Sequence, residues 1–377
     1  RFGYDIRLDQ PSSACGTTPP MTSDLTTQER TIPDALWNSR FLRACRREPV
    51  DATPVWLMRQ AGRYMAEYRS LRSKVSFLEL CKNPELAAET TVFAAETLGV
   101  DAAILFADIL LILEPLGFHL EFSKGEGPVI HNPVRAVADL ARLEPLVDIS
   151  ALGYVYEAVR RIRAELPADI PLIGFAGAPF TLACYAIEGG SSRQYDKAKA
   201  FMYADQGAWD GLMTVLTDST ARYLNAQIEA GAQAVQIFDS WVGALAPDDY
   251  RRFVQPHMKR LFAQIRPDVP AIHFGTDTAT LLELQRDAGG TVIGLDWRVE
   301  LDAGWERLGP DVAVQGNLDP VVLFAPTAEI ARQTRRILDQ AAGRPGHIFN
   351  LGHGILPSTP VDSVRALVQM VHEFSAR

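Results

Sequence analysis

Cysteine is scarce in this chain: four in 377 residues, at 15, 45, 81 and 184, with no Cys-x-x-Cys pair. That usage excludes a disulfide framework and a thiolate zinc ribbon, and it fits a reducing cytoplasm. Histidine is scarce too, at seven, and neither His273 nor His353 has a cysteine neighbour to complete a thiolate zinc site. Long apolar runs are missing. The longest, around Ile104–Leu113, is interrupted by Asp108 and falls short of the roughly 20 residues a bilayer demands. No positively charged start followed by an apolar segment marks a secretory signal. There is no excess of basic charge: the formal net charge is −9 and the isoelectric point about 5.4, which argues against a nucleic-acid partner. Nucleotide loops of the Gly-x-x-x-x-Gly-Lys-Ser/Thr and Gly-x-Gly-x-x-Gly types, a His-Glu-x-x-His pair and a Gly-x-Ser-x-Gly elbow are all absent. The sequence therefore predicts a cytoplasmic protein with no sign of a metal or nucleotide site, no membrane span and no nucleic-acid partner.

What is present is an ample core. Apolar residues make up 47% of the chain and mean hydropathy is near zero. Residues 1–20 are rich in Pro, Ser, Thr and Gly and lack periodicity, so 1–30 read as a disordered extension with the native start at Met21. From 31 to 377 short apolar runs alternate with longer amphipathic stretches. Strands are expected at 54–59, 101–108, 171–177, 234–240, 271–276, 292–297, 312–316 and 347–351, most of them continuously apolar, as strands covered on both faces are. Asn83 followed by Pro84 opens a helix that Gly99 ends, and a second helix carries Leu212, Leu216, Tyr223 and Ala226 and stops before Gly231. Eight such units predict a single-domain α/β fold over 31–377, a distorted (β/α)8 TIM-like barrel, with 117–130 as an inserted hairpin after strand 2. A doubly wound open sheet is the alternative that periodicity leaves standing.

The most informative stretch is P-V-W-L-M-R-Q-A-G-R-Y-M-A-E-Y-R-S-L-R at 54–72. An apolar run delivers Arg59, Gly62 and Arg63, and as far as Lys74 five cations face one acid, Glu67. Arginine stays charged and grips carboxylates bidentately, so a small polyanion is the expected ligand. In a barrel the working residues gather at the carboxyl ends of strands. There lie Arg59, Asp108, Asp239 with Ser240, Asp277, Asp296 with Trp297, Asn317 and His353. Asp108, set in I-L-F-A-D-I-L-L-I-L, is a costly place for a carboxylate unless a donor compensates it; a helix cap is the plain structural alternative. Asp239 and Ser240 stand several residues ahead of a helix opening near Pro247. His353 lies between two glycines, where backbone approaches a ligand closely. Tyr185 reads as core by default, and Cys184 as packing.

These motifs resemble the uroporphyrinogen decarboxylase family: M-R-Q-A-G-R-Y-M at 58–65, I-L-F-A-D-I-L at 104–110, G-F-A-G-A-P-F-T-L at 174–182, E-G-G at 188–190, G-L-D-W at 294–297, Q-G-N-L-D-P at 315–320 and N-L-G-H-G at 350–354. The resemblance implies a cofactor-independent, homodimeric barrel. It would convert the four acetate arms of uroporphyrinogen III to methyl groups, giving coproporphyrinogen III and carbon dioxide for tetrapyrrole synthesis. It places Arg59, Gln60, Ala61, Gly62 and Arg63 in a substrate loop with Arg72 on the same rim. It makes Asp108 the acceptor of the pyrrole N–H groups, and Tyr185, Ser240 and His353 further substrate contacts. Arg59, Tyr185 and His353 stay open as proton donors. Ala66 departs from the proline of many members, a change of loop stiffness. Two other readings are carried: a zinc or corrinoid-type methyltransferase of the same barrel superfamily, and a non-catalytic tetrapyrrole carrier.

Overall fold

Seven of the eight expected strands form one parallel sheet in the computed structural model, which describes residues 32–123 and 127–377. The expected extension over 1–30, Met21 included, lies outside the described residues. In chain order the strands are β1 (Ala103–Ile104), β2 (Leu120–Ser123), β3 (Gly127–Ile130), β4 (Leu172–Gly177), β5 (Ala234–Asp239), β6 (Ala271–Gly275), β7 (Val292–Gly294), β8 (Ala313–Gln315) and β9 (His347–Ile348). The sheet runs β1-β4-β5-β6-β7-β8-β9, every neighbour parallel, while β2 and β3 pair antiparallel outside it.

Side chains show that the sheet curls. Gln236 on β5 and Gln315 on β8 are three strands apart, roughly 14 Å in a flat sheet, yet Gln315 Nε2 donates to Gln236 Oε1 at 2.9 Å. Trp56 Nε1 donates to Gln315 Oε1 at 2.9 Å. The two ends of the sheet meet a common neighbour. Val55 bridges in parallel to Phe349, and its carbonyl accepts Asp101 N–H, just ahead of β1, at 2.8 Å.

The expected strand at 54–59 is thus corrected to one bridging residue. Its other polar groups are held by side chains and loops: Val55 N–H by Asp101 Oδ2, Met58 N–H by Asn350 Oδ1, and Met58 C=O by Ile355 N–H. The strand expected at 101–108 likewise ends early, because Phe106 N–H turns to the Thr91 hydroxyl at 2.9 Å.

Local chemistry explains the helices. Asn83 Oδ1 accepts from Glu85 and Leu86 N–H, Pro84 fills the first turn of Pro84–Leu98, and Gly99 ends it in the left-handed region at φ 68°. Gln206–Ala230 runs for 25 residues and buries Leu212, Leu216, Tyr223 and Ala226, as expected. Among the described residues no helix is long and apolar enough to cross a membrane.

Side-chain alternation then assigns faces. Gln236 and Phe238 lie on the concave side, and the Phe175, Phe238 and Phe274 rings meet there at 5.5 and 6.0 Å. Val235, Ile237 and Asp239 consequently point to the convex side, under the helices. Asp239 is fully buried.

Candidate active site

The loop that follows Met58 is shaped by backbone strain. Arg59 occupies the left-handed region at φ 62°, where a non-glycine residue is uncommon. Its carbonyl side is braced by Gln60, whose carbonyl accepts the Tyr64 hydroxyl at 2.6 Å and whose side chain is 1% exposed. Gln60 is therefore turned inward, while Ala61 and Gly62 stay partly accessible. Arg59 and Arg63 carry exposed side chains with no hydrogen bond or ion pair among the described residues. Arg69 and Arg72 are already engaged. Arg69 donates to the Arg63 and Tyr64 carbonyls, and Arg72 donates to the Val75 carbonyl with its guanidinium over the Phe77 ring. Two uncommitted arginines thus belong to one short loop, and no described contact brings Arg72 to them.

Asp108 sits half-buried in a recess of the protein past the end of β1. Its Oδ1 accepts Leu110 N–H at 2.9 Å, so the cap-like role is real, with a 3-10 turn, Leu111–Leu113, directly after it. The other oxygen has no hydrogen-bond partner among the described residues. Burial pushes this carboxyl up to about 6, against the opposing pull of the Leu110 N–H and the Arg59 guanidinium. Burial in turn lowers the pKa of Arg59, with Asp108 opposing it and Arg63 adding to it. A carboxylate with an open lone pair and an unpaired guanidinium feel each other's charge in one recess.

Tyr185 belongs to the same group. It lies on Pro179–Glu188 and is partly accessible rather than core. Burial drives its phenol well above the usual range, Asp108 adds to this, and Arg59 opposes it. Its ring stacks on Trp241 with centroids 3.9 Å apart. His353 completes the set. Burial first, then the Arg59 cation, lowers its pKa to about 4, and its Nδ1 accepts Gly354 N–H at 2.7 Å, leaving Nε2 to carry the ring proton. An NMR pH titration should therefore show His353 neutral at pH 7 and charging only near pH 4; a transition near 6.5 would contradict this environment.

The two glycines around His353 make close protein contacts. A Cβ on Gly352 would come within 2.5 Å of Trp297 N, and one on Gly354 within 2.4 Å of Arg59 Cδ. Gly354 is the floor on which the Arg59 stem lies. Because the neighbour of Gly352 is backbone, Gly352→Ala is expected to destabilise the fold by about 1–3 kcal/mol, the range for forced overpacking, read as a lower urea midpoint.

The remaining expected residues separate. Ser240 follows β5 on the alternation of Phe238, and its carbonyl accepts the Thr276 hydroxyl at 2.5 Å. Asp239, flagged as a strand-end acid, is buried away from this recess. Cys184 is buried in packing, as expected. Trp241 and Arg298 were missed. Arg298 pairs with Asp277 at 2.7 Å and with Asp296 at 2.6 Å, and its charge reaches His353. Its position directly after the strand-end pair Asp296–Trp297 was the available signal. Among the described residues no group of three or more His, Cys, Asp or Glu stands close enough to hold a metal ion.

A family model described as uroporphyrinogen decarboxylase (URO-D) matches residues 36–374. A uroporphyrinogen decarboxylase of Sorangium cellulosum is 60% identical over 336 residues, 89% of this chain and 96% of that protein. One of a Roseiflexus species is 58% identical over 345 residues, 90% of this chain and 99% of its own length. Among solved structures, a methyltransferase from Methanosarcina mazei superposes with a TM-score of 0.74 over 89% of this chain and 98% of that one, at 22% identity. At that identity the likeness concerns the fold.

Proposed function

Since the chain belongs to the uroporphyrinogen decarboxylase family and is a decarboxylase of tetrapyrrole biosynthesis, we propose that the recess holding Arg59, Asp108, Tyr185 and His353 is where uroporphyrinogen III loses its carboxyl groups. The observation that supports this most is the pairing of an under-bonded Asp108 with two uncommitted arginines. The substrate carries eight carboxylates around a ring whose centre presents N–H donors. Arg59 and Arg63 suit the first, and Asp108 the second.

The chemistry follows from the substrate. An acetate arm releases carbon dioxide readily only if its electron pair has a sink. Protonation of the adjacent pyrrole carbon supplies one by making the ring cationic. Asp108, ionised and close to the ring N–H groups, stabilises that cation in a water-poor setting. After carbon dioxide leaves, the pair returns to the arm, which takes up a proton and becomes a methyl group, and the ring carbon gives back the proton it had accepted, restoring the pyrrole. The donors within reach remain the three named from the resemblance, and the fixed Nε2–H of His353 favours it as a neutral hydrogen-bond donor.

Around this centre, Gln60, Ala61 and Gly62 hold the loop, with Arg72 on its flank, and Ser240 is a further substrate contact from β5. At the level of architecture, Val55 completes an eight-membered barrel, β2 and β3 form its inserted hairpin, and residues 31–377 are the one catalytic domain. The reading extends to a cytoplasmic homodimer working without metal or organic cofactor. The family matches favour decarboxylation over the methyltransferase reading of the same barrel superfamily.

Anaerobic incubation with reduced uroporphyrinogen III, followed by oxidation and chromatography, tests the reading. Products with seven, six, five and finally four carboxylates are expected. Unchanged octacarboxylate from folded protein would refute it.

A further inference from the structure

The mechanism uses no group on the convex side of the sheet, yet an ionisable pair is buried there. Asp239 and His273, on neighbouring strands, are both fully buried, with Oδ2 and Nε2 4.0 Å apart. Burial pushes the Asp239 carboxyl up, and His273 and Thr181 pull it back. Such a group is costly to keep without a task. Its Oδ1 has one: it accepts the Thr181 hydroxyl at 3.2 Å, and that same hydroxyl accepts the Trp241 backbone N–H at 3.3 Å.

We propose that Asp239 and Thr181 are positioning residues that fix Trp241 as the back wall of the substrate recess. The Thr181 hydroxyl works as a two-way joint. Donating to Asp239 fixes its rotor, so its lone pair is aimed at Trp241 N–H. The indole, half-buried, is thereby set against Tyr185 at 3.9 Å and Tyr195 at 4.9 Å. Thr181 and Tyr185 are four residues apart on one helix, so they share a face, and the same rigid element holds the Trp241 backbone through the hydroxyl and its indole through the Tyr185 ring. A stacked aromatic pair has a preferred geometry but little resistance to sliding. The hydrogen-bonded backbone supplies that resistance. Trp241 therefore sets the depth to which the tetrapyrrole macrocycle can enter beside Tyr185. This rests on the reading of Tyr185 as a substrate contact.

The test compares Thr181→Val, nearly isosteric but without the hydroxyl, with Thr181→Ser, which retains it. The readouts are near-UV circular dichroism and the anaerobic decarboxylation assay. Thr181→Val should alter the Tyr–Trp band and lower kcat/KM about three- to tenfold, the value of one buried hydrogen bond, chiefly through KM; Thr181→Ser should restore both. The spectral change should vanish in a Trp241→Phe background. An unchanged band in Thr181→Val, a change that persists with Trp241→Phe, or failure of Ser to rescue would overturn the proposal. If Thr181→Val does not fold, Thr181→Ala takes its place in the same comparison. A spectral response as expected, joined to unchanged kinetics in both Thr181→Val and Tyr185→Phe, would uphold the joint and refute Tyr185 as a substrate contact.

Discussion

Replacing Asp108 with Asn should slow decarboxylation about 100- to 1000-fold while making the folded chain harder to unfold at pH 7. The rate effect is the usual cost of losing one preorganised charge partner of a transition state. Asn still accepts Leu110 N–H through its Oδ1, so the turn at Leu111–Leu113 survives and the loss is of charge alone. The stability effect follows from the raised pKa. Asp108 titrates near 6 in the folded chain against an ordinary 3.8. Between those values the folded chain holds a proton that the unfolded chain has released. Stability therefore falls as pH rises from about 4 to about 6, and the penalty is complete above that. Asn cannot ionise and escapes it, by at most about 3 kcal/mol for a shift of this size. Urea denaturation of both proteins at pH 4 and pH 7 reads it: the two should agree at pH 4 and diverge at pH 7. The wild-type kcat/KM should also fall as pH drops through about 6, where the carboxylate is lost. Wild-type turnover by Asp108→Asn would remove Asp108 from the chemistry, and a variant less stable at pH 7 would contradict the burial argument.

The second large effect is expected at Arg59. Arg59→Met keeps the length of the stem and its seat on Gly354 but removes the fork. A hydrogen bond to a charged group is worth about 1.5–3 kcal/mol, so kcat/KM should drop roughly 10- to 150-fold. The Arg59 cation also lowers the pKa of Asp108, so its loss should move the acid limb of the pH profile above 6. Arg59→Lys separates the two roles. It retains a point charge and should leave the limb near 6, while still losing affinity because it cannot engage a carboxylate bidentately. Equal limbs in the Met and Lys variants would mean that Arg59 and Asp108 do not sense each other.

Much of this was readable in the chain, and the failures have common causes. Periodicity and caps locate Pro84–Leu98 and Gln206–Ala230 because their signals are local: Asn83, Pro84, Gly99 and Gly231 act on their own neighbours. Asp108 and Arg59 stand out because charge inside apolar surroundings is itself a local anomaly. The strand at 54–59 was over-extended because its bonding partners, Asp101 and Asn350, are distant side chains, and an apolar run cannot reveal that side chains replace a ladder. Asp239 was grouped with the mouth because it ends a strand; one step of alternation puts it on the other face, and only the Gln236–Gln315 contact reveals which face is which. The tight contacts of Gly352 and Gly354 were not legible because their neighbours, Trp297 and Arg59, are remote in sequence. Trp241 carries no charge and no motif, so nothing drew attention to it.

The tethering of the Arg59 segment has a consequence for how the protein is made. Pro54–Met58 is secured by Phe349, Asn350 and Ile355, nearly three hundred positions downstream. During translation Arg59 has no partner to set the geometry of its segment until residues 349–355 have left the ribosome. Contacts of such separation are slow to form, and here they are what orders the loop. A nascent chain that stops short of residues 349–355 would hold most of the sheet and yet have no organised mouth, so activity should appear only once that segment has been made.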